Sequence, residues 1–290
     1  MDATVAMYLA QGIHGVAYGM MLFLIAAGLT LIFGMMGILN LAHGAFFMLS
    51  AYVAYQTLLW GGNYWVALIV APIVTGFIGV LVERFLLRKI IATGLPNQLL
   101  LTQAMVFVII GLVQVQWGTD YKNIAVPGIL SGLVNIFGMQ YPAYRIFMIG
   151  MSLVLLIFMI FILFKTRLGM IVRAAVSDSE MVDALGINVP LVFMLVFGVG
   201  TWMAGLAGVV IAPIMSVHPY LGDQVGMDAF IVVITGGLGS LGGAFLVAMI
   251  LGLLNAYGIQ FVSQYAMVLT FAFMALVLAI KPTGLFGERG

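Results

Sequence analysis

Long stretches free of Asp, Glu, Lys and Arg divide this chain: residues 3 to 82, 90 to 119, 146 to 164, 184 to 222 and 229 to 280. They hold the apolar runs of roughly 20 residues needed to cross a hydrocarbon core about 30 Å thick. Their residues do not alternate between apolar and polar, as strands of a transmembrane barrel would over about ten residues. The pattern therefore predicts helices near residues 10 to 37, 40 to 59, 64 to 83, 98 to 116, 144 to 164, 190 to 214, 241 to 259 and 262 to 280. A shorter apolar piece, 228 to 238, sits between Asp228 and a glycine-rich knot. A helix of that length rises only about 17 Å, so it reads as short or broken, and the expected number of crossings is eight or nine.

The chain is 64% hydrophobic and 7% charged, against about 25% charged in an ordinary soluble domain. Composition and helical runs together predict an all-α polytopic membrane protein, with residues 1–290 forming a single transmembrane domain without a detectable internal repeat. The absence of cysteine excludes a disulfide framework, a thiolate metal site and a thiol nucleophile. A net charge of +1 gives no reason to expect nucleic acid. No Lys or Arg precedes the first apolar run, so that run is expected to be a retained span rather than a cleaved signal. The positive-inside rule places Arg84, Arg88 and Lys89 with Lys165, Arg167 and Arg173, and with Lys281 and Arg289, on the cytoplasmic side. Lys122 and Arg145 remain for the other face, with the aromatic loop Trp117 to Tyr144 and an acidic loop His218 to Asp228. The amino terminus is then outside and the carboxyl terminus inside, an odd number of crossings that requires 228 to 238 to cross.

Of the ten Lys and Arg and nine Asp and Glu residues, six fall between Lys165 and Asp183. The stretch reads KTRLGMIVRAAVSDSEMVDALGINVP. Ser177 and Glu180 have capping-box spacing, Val176 and Met181 can form the accompanying hydrophobic staple, and Gly186 then Pro190 supply the stop. On the helix so bounded, Met181, Ala184 and Leu185 recur at i, i+3, i+4, while Asp178, Glu180 and Asp183 keep the rest polar. A capped acidic helix at a membrane surface suits a docking element; the plainer alternative is a connecting loop containing a helical turn.

Gly237, Gly239 and Gly242 spell the dinucleotide-binding pattern, yet no acidic residue follows Asp228 before Glu288 and no strand–helix–strand context is expected. The knot serves better as a break between helices or a mobile hinge lining a path, with Gly239 and Gly243 offering a small-residue contact face like that at Gly15 and Gly19. None of Lys89, Lys122, Lys165 or Lys281 follows a glycine, so the chain has no Walker A site. No Asp, Glu, Lys or Arg is expected near the centre of a span, which disfavours ion coupling. Asn40 and His43, in GILNLAHGAF, are the most informative polar pair within the apolar runs. Either they belong to a cytoplasmic-end turn in which Asn40 caps the second helix, or they line or gate a path. Neither His43 nor His218 has an acid or second His at ligand spacing, so no metal site is expected, and no catalytic constellation is present.

Three stretches, GLTLIFGMMGILNLAHGAFFMLSAY (28 to 52), VRAAVSDSEMVDALGIN (172 to 188) and ITGGLGSLGGAFLVAMILG (234 to 252), resemble the permease subunits of the branched-chain amino acid ABC importer family. The length and the lack of extra spans resemble the smaller of that family's two paired permeases. The resemblance implies a heterodimer with a second homologous permease, two cytoplasmic P-loop ATPase subunits that bind ATP and Mg, and an extracytoplasmic solute-binding protein. It implies a bacterial cytoplasmic (inner) membrane location, no cofactor in this chain and no enzymatic activity of its own. It also implies that the loop from Ser177 to Gly186 is the coupling helix. The solute that the resemblance implies is a branched-chain or related small amino acid, or, within the same family, urea, an amide or an aromatic acid. A self-sufficient channel or secondary carrier for a small neutral solute is the competing class, and it has no need of a docking helix.

Overall fold

The structure is a computed structural model and describes residues 3–136 and 139–287. In chain order its elements begin with α1 (Ala3–Met36), α2 (His43–Leu59) and α3 (Tyr64–Val82), which continues through a π-helical turn (Glu83–Leu87) into a last turn, α4 (Arg88–Ile90). Next come α5 (Leu95–Trp117), a two-stranded antiparallel hairpin of β1 (Leu133–Ile136) and β2 (Met139–Pro142), and α6 (Ala143–Lys165). The remainder is α7 (Arg167–Ser177), α8 (Ser179–Ala184), α9 (Val189–Ile211), α10 (Leu221–Gly236), α11 (Leu241–Val262) and α12 (Ala266–Ile280). The fold is mostly helical. Among the described residues six helical stretches are long and apolar enough to cross a membrane: Met7–Met36, Tyr64–Ile90, Leu95–Trp117, Ala143–Lys165, Val189–Ile211 and Leu241–Tyr265. Helices α2, α10 and α12 are shorter, at 17, 16 and 15 residues.

Polar residues at the ends of the apolar runs start several of these helices. Asn63 accepts a hydrogen bond from Val66 N (2.9 Å) ahead of α3, Asn188 from Leu191 N (3.0 Å) ahead of α9, and Ser240 from Gly243 N (3.1 Å) ahead of α11. Each satisfies a backbone donor that a helix start leaves without a partner.

At the centre, α1 packs against α11 and α9, and α9 against α3 and α2. Small residues set these approaches, since in lipid helices associate by close packing rather than by burying apolar surface from water. A Cβ on Gly15 would come within 2.9–3.2 Å of Leu253 and Gly252, and one on Gly205 within 2.9 Å of the Pro72 backbone and 3.1 Å of Ser50 and Thr75. Ser50 Oγ donates to Gly205 O (2.9 Å), tying α2 to α9 at this crossing.

Two corrections to the expected segments matter for function. The piece anticipated at 228 to 238 is α10, which begins at Leu221, so Asp223 and Asp228 are helical residues and not members of an acidic loop. The second span, expected from residue 40, begins at His43, and the connection from Gly37 to Ala42 is not a turn at the end of α1. His43 Nε2 lies 3.0 Å from Ile25 O. That is three helical turns before α1 ends at Met36, so the chain runs back alongside α1 before α2 starts. Non-helical backbone at such depth is tolerated when protein surrounds it, and Ile38, Asn40, Ala42 and His43 are fully buried.

The loops collect at two ends. At one, Lys122 and Val217 exchange backbone hydrogen bonds (2.8 Å each) and Ser216 Oγ donates to Asn123 (2.9 Å), joining the segments after α5 and before α10. His218 stacks obliquely on Tyr121 there, ring centroids 4.9 Å apart, and partial burial lowers its imidazole below the usual pKa. At the other end, Arg88 bonds Glu83 (2.9 Å) and Pro190 O (2.7 Å), so the basic segment after α3 meets the start of α9. The turn between α10 and α11 rests there on Gly34, near the end of α1.

Candidate functional site

The docking stretch is two helices, not one. α7 is amphipathic: Leu168, Met170, Arg173, Ala174 and Val176 are exposed, whereas Ala175 is buried with Val182 of α8 and Val189 of α9 in a small cluster completed by Ile187 and Phe193. α8 is capped by Asp178, whose Oδ1 accepts from Met181 N (2.9 Å), and not by Ser177, whose backbone closes α7. The Ser177 side chain lies outside the described residues, and Glu180 is exposed without a return bond to the cap, so the expected capping box is replaced by a single Asp cap. The stop is as the glycine suggested. Gly186 has φ +83°, its N–H donates to Asp183 O (2.8 Å), and Ile187 N–H donates to Val182 O (3.3 Å), the paired bonds of a Schellman turn. Val182 thus pins α8 to the body, while Met181, Ala184 and Leu185 face outward, with Met181 and Leu185 58% and 72% exposed. Sequence reasoning missed Val182 because it looked for the stripe that faces a partner and not the residue that holds the stripe in place.

The interior pair is packed more deeply than expected. Asn40 Oδ1 accepts from Ala42 N (3.1 Å), a local turn just ahead of α2 rather than a cap on it, for Ala42 holds the cap position without a side-chain bond. Among the described residues Asn40 Nδ2 and His43 Nδ1 are buried without hydrogen-bond partners. Both residues are wholly enclosed, and His43 lies beside Gly28 of α1, which also meets the Gly200 backbone of α9.

The glycine knot is a turn. Gly237 and Gly239 adopt φ +104° and +83°, Gly243 lies against Gly236, and Gly242 has open space around its Cα. The segment after α12 returns to this turn: Leu285 N and Phe286 N donate to Thr235 O (2.9 Å) and Gly236 O (3.0 Å), the last carbonyls of α10.

Sequence reasoning placed Asp228 in a loop and so missed its setting. Asp228, two turns into α10 and half-buried, lines a cavity of about 480 Å³ bounded by α1, α10, α11 and α12. Tyr18, Gln224, Asn255 and Thr270 line it with Asp228. The signal was available as the i, i+4, i+8 polar stripe Tyr220, Gln224, Asp228, but Gly222 and Gly226 made the segment read as a loop. Among the described residues no group of three His, Cys, Asp or Glu side chains is arranged to hold a metal ion.

These features agree with the comparisons to known proteins. The family described as branched-chain amino acid transport system / permease component matches residues 13–278. The chain is 31% identical to the high-affinity branched-chain amino acid transport system permease protein LivH of Salmonella typhimurium, across 97% of this chain and 96% of that protein. It is 30% identical to BraD of Pseudomonas aeruginosa over the same shares. To LivM of Escherichia coli it is 25% identical, and there it covers only 68% of the relative, in keeping with the smaller type of permease. A solved structure of PsaBC from Streptococcus pneumoniae in complex with Fab shares the fold, with a TM-score of 0.54 and 13% identity over 94% of this chain and 92% of that one. A multi-pass helical protein matched along nearly its whole length in this way is a transport component rather than an enzyme, and the chain belongs to the branched-chain amino acid transport system permease family.

Proposed function

We propose that this chain is one membrane subunit of an ATP-driven importer that carries a branched-chain or related small amino acid. The observation that carries the reading is α8, held to the body by Val182 and turning an exposed stripe, Met181, Ala184 and Leu185, away from it. A self-sufficient channel has no use for such an element; a permease driven by separate ATPases needs one. ATP and Mg would bind those ATPases, a second homologous permease would complete the membrane pore, and an extracytoplasmic protein would deliver the solute.

The same reading takes nine crossings, with the amino terminus outside and the carboxyl terminus and the α7–α8 element in the cytoplasm. It is supported by the basic residues gathered near the α8 end and by α10, which runs toward the end where the turn at Gly237 meets Gly34 and residues 286–287. Asn40, His43 and the Gly237, Gly239, Gly242 turn would act on the path indirectly, by fixing how α1, α2, α10 and α11 pack.

The test is reconstitution. The chain expressed with its partner genes should co-purify with a P-loop ATPase and, in vesicles, support ATP-dependent uptake of leucine. Uptake by the chain alone, without ATPase, would instead establish the channel class. A single cysteine at position 177, clean in this cysteine-free chain, should react with membrane-impermeant reagent only from the cytoplasmic side.

A further inference from the structure

The polar face of α10 is left uncovered by the rest of the chain. Tyr220, Asp223, Gln224 and Met227 are exposed, and Asp228 on the same face opens into the cavity shared with α1, α11 and α12. Its depth is read from its neighbours: Tyr18 lies about midway along α1, and Leu251 midway along α11. Among the described residues, Asp228 makes no ion pair and accepts no hydrogen bond. No Lys or Arg lines the cavity; the nearby Arg145, bonded to His14 (2.6 Å), lines a separate cavity of about 90 Å³ on the other side of Tyr18.

A carboxylate at that depth is costly unless it faces water or a cation, and such residues mark solute pathways and relays. The cavity is far larger than a bare metal ion needs and falls within the roughly 300–1,000 Å³ of small-molecule sites. Its walls are mixed. Leu22, Ile231 and Phe271 are apolar, while Tyr18 and Asn255 carry hydrogen-bond donors.

We propose that this chamber receives the solute in transit, with Asp228 taking the ammonium group, Asn255 offering its amide to the carboxylate, and the apolar wall accepting its side chain. The inference rests on the importer reading and adds to it a site within this chain, one whose charge suits the ammonium group of an amino acid and not a neutral amide. It also reverses the expectation that the path interior carries no charge, because that expectation treated Asp228 as a loop residue.

The test uses the reconstituted complex with its ATPases, second permease and binding protein. Asp228→Asn should lower leucine uptake at least about tenfold, the scale of a lost hydrogen bond to a charged group, while Asp228→Glu keeps most of it and both variants still co-purify with the second permease. Asp228→Cys should react with a water-soluble cationic thiol reagent, and leucine should slow the reaction. Undiminished uptake by Asp228→Asn overturns the proposal. So does loss of the second permease from that variant, which would make Asp228 an inter-subunit ion-pair partner, and so does an Asp228→Cys thiol that aqueous reagent never reaches. A wild-type complex that imports no leucine sinks the importer reading instead, and the reactivity of the Asp228→Cys variant then still decides whether the chamber is a wet path.

Discussion

Helices α6 and α9 have the same length, 23 residues, and opposite situations. α9 is 78% buried within the chain over its most apolar window, and α6 only 28%. In a soluble protein the more apolar helix would be the inner one. Here α6, with LVLLIFMIFILF, is the outer one, and α9 places GVGTWMAGLAG at the centre. Lipid is as good a solvent for leucine as the protein interior is, so long side chains turn outward at no cost and the interior goes to residues that let backbones touch. α9 meets α1 at Gly200, α3 at Gly198 and Gly205, and α2 at Gly208.

The largest effect that would test this contrast comes from filling the inner helix. Gly205→Leu should abolish the folded protein, seen as loss of the monodisperse peak in detergent chromatography, because its Cβ already meets the Pro72 backbone at 2.9 Å and overpacking costs about 1–3 kcal/mol or more. A well-behaved Gly205→Leu protein would show that the helices can spread freely and that the small residues are not spacers.

Ala184→Arg sharpens the contrast by adding a third kind of surface, one facing neither lipid nor core. The residue is exposed on α8, so thermal stability should be unchanged, while co-purification of the ATPase and ATP-driven uptake are lost. Wild-type assembly and uptake in this variant would reduce α8 to a connecting loop. Ser50→Ala should be milder: it removes the α2–α9 hydrogen bond and should cost about 0.6 kcal/mol, the average for such bonds in membranes, measured by denaturation in mixed micelles. The smallest effect belongs to the outer helix. Ile157→Leu on α6, 66% exposed, should leave melting temperature and uptake where they were, and a marked loss would place a partner rather than lipid on that face.

What was legible in the sequence follows the same physics. The expected segments 98 to 116, 144 to 164 and 190 to 214 lie within three residues of α5, α6 and α9 at both ends, because charge-free runs bounded by polar residues admit little else in a bilayer. The return from Gly37 to Ala42 was not legible: its residues are apolar enough to pass for helix, and only tertiary packing on Ile25 and Gly28 reveals that it lies deep. The start of α10 was hidden by Gly222 and Gly226, which read as breakers in water but serve in this protein as contact points against Gly44. The α8 stop was legible from Gly186, whereas its cap moved one residue, to Asp178, because α7 claims Ser177.

The pairing of residues 285 and 286 with the final carbonyls of α10 has a bearing on biosynthesis. Those carbonyls leave the ribosome about fifty residues before their donors do, so α10 enters the bilayer with an open end that is closed only once residues 285 and 286 have followed. A nascent chain halted directly after α12 would hold all the helices described above and still lack this closure, so the packing of α10 is completed by residues that follow the last of them.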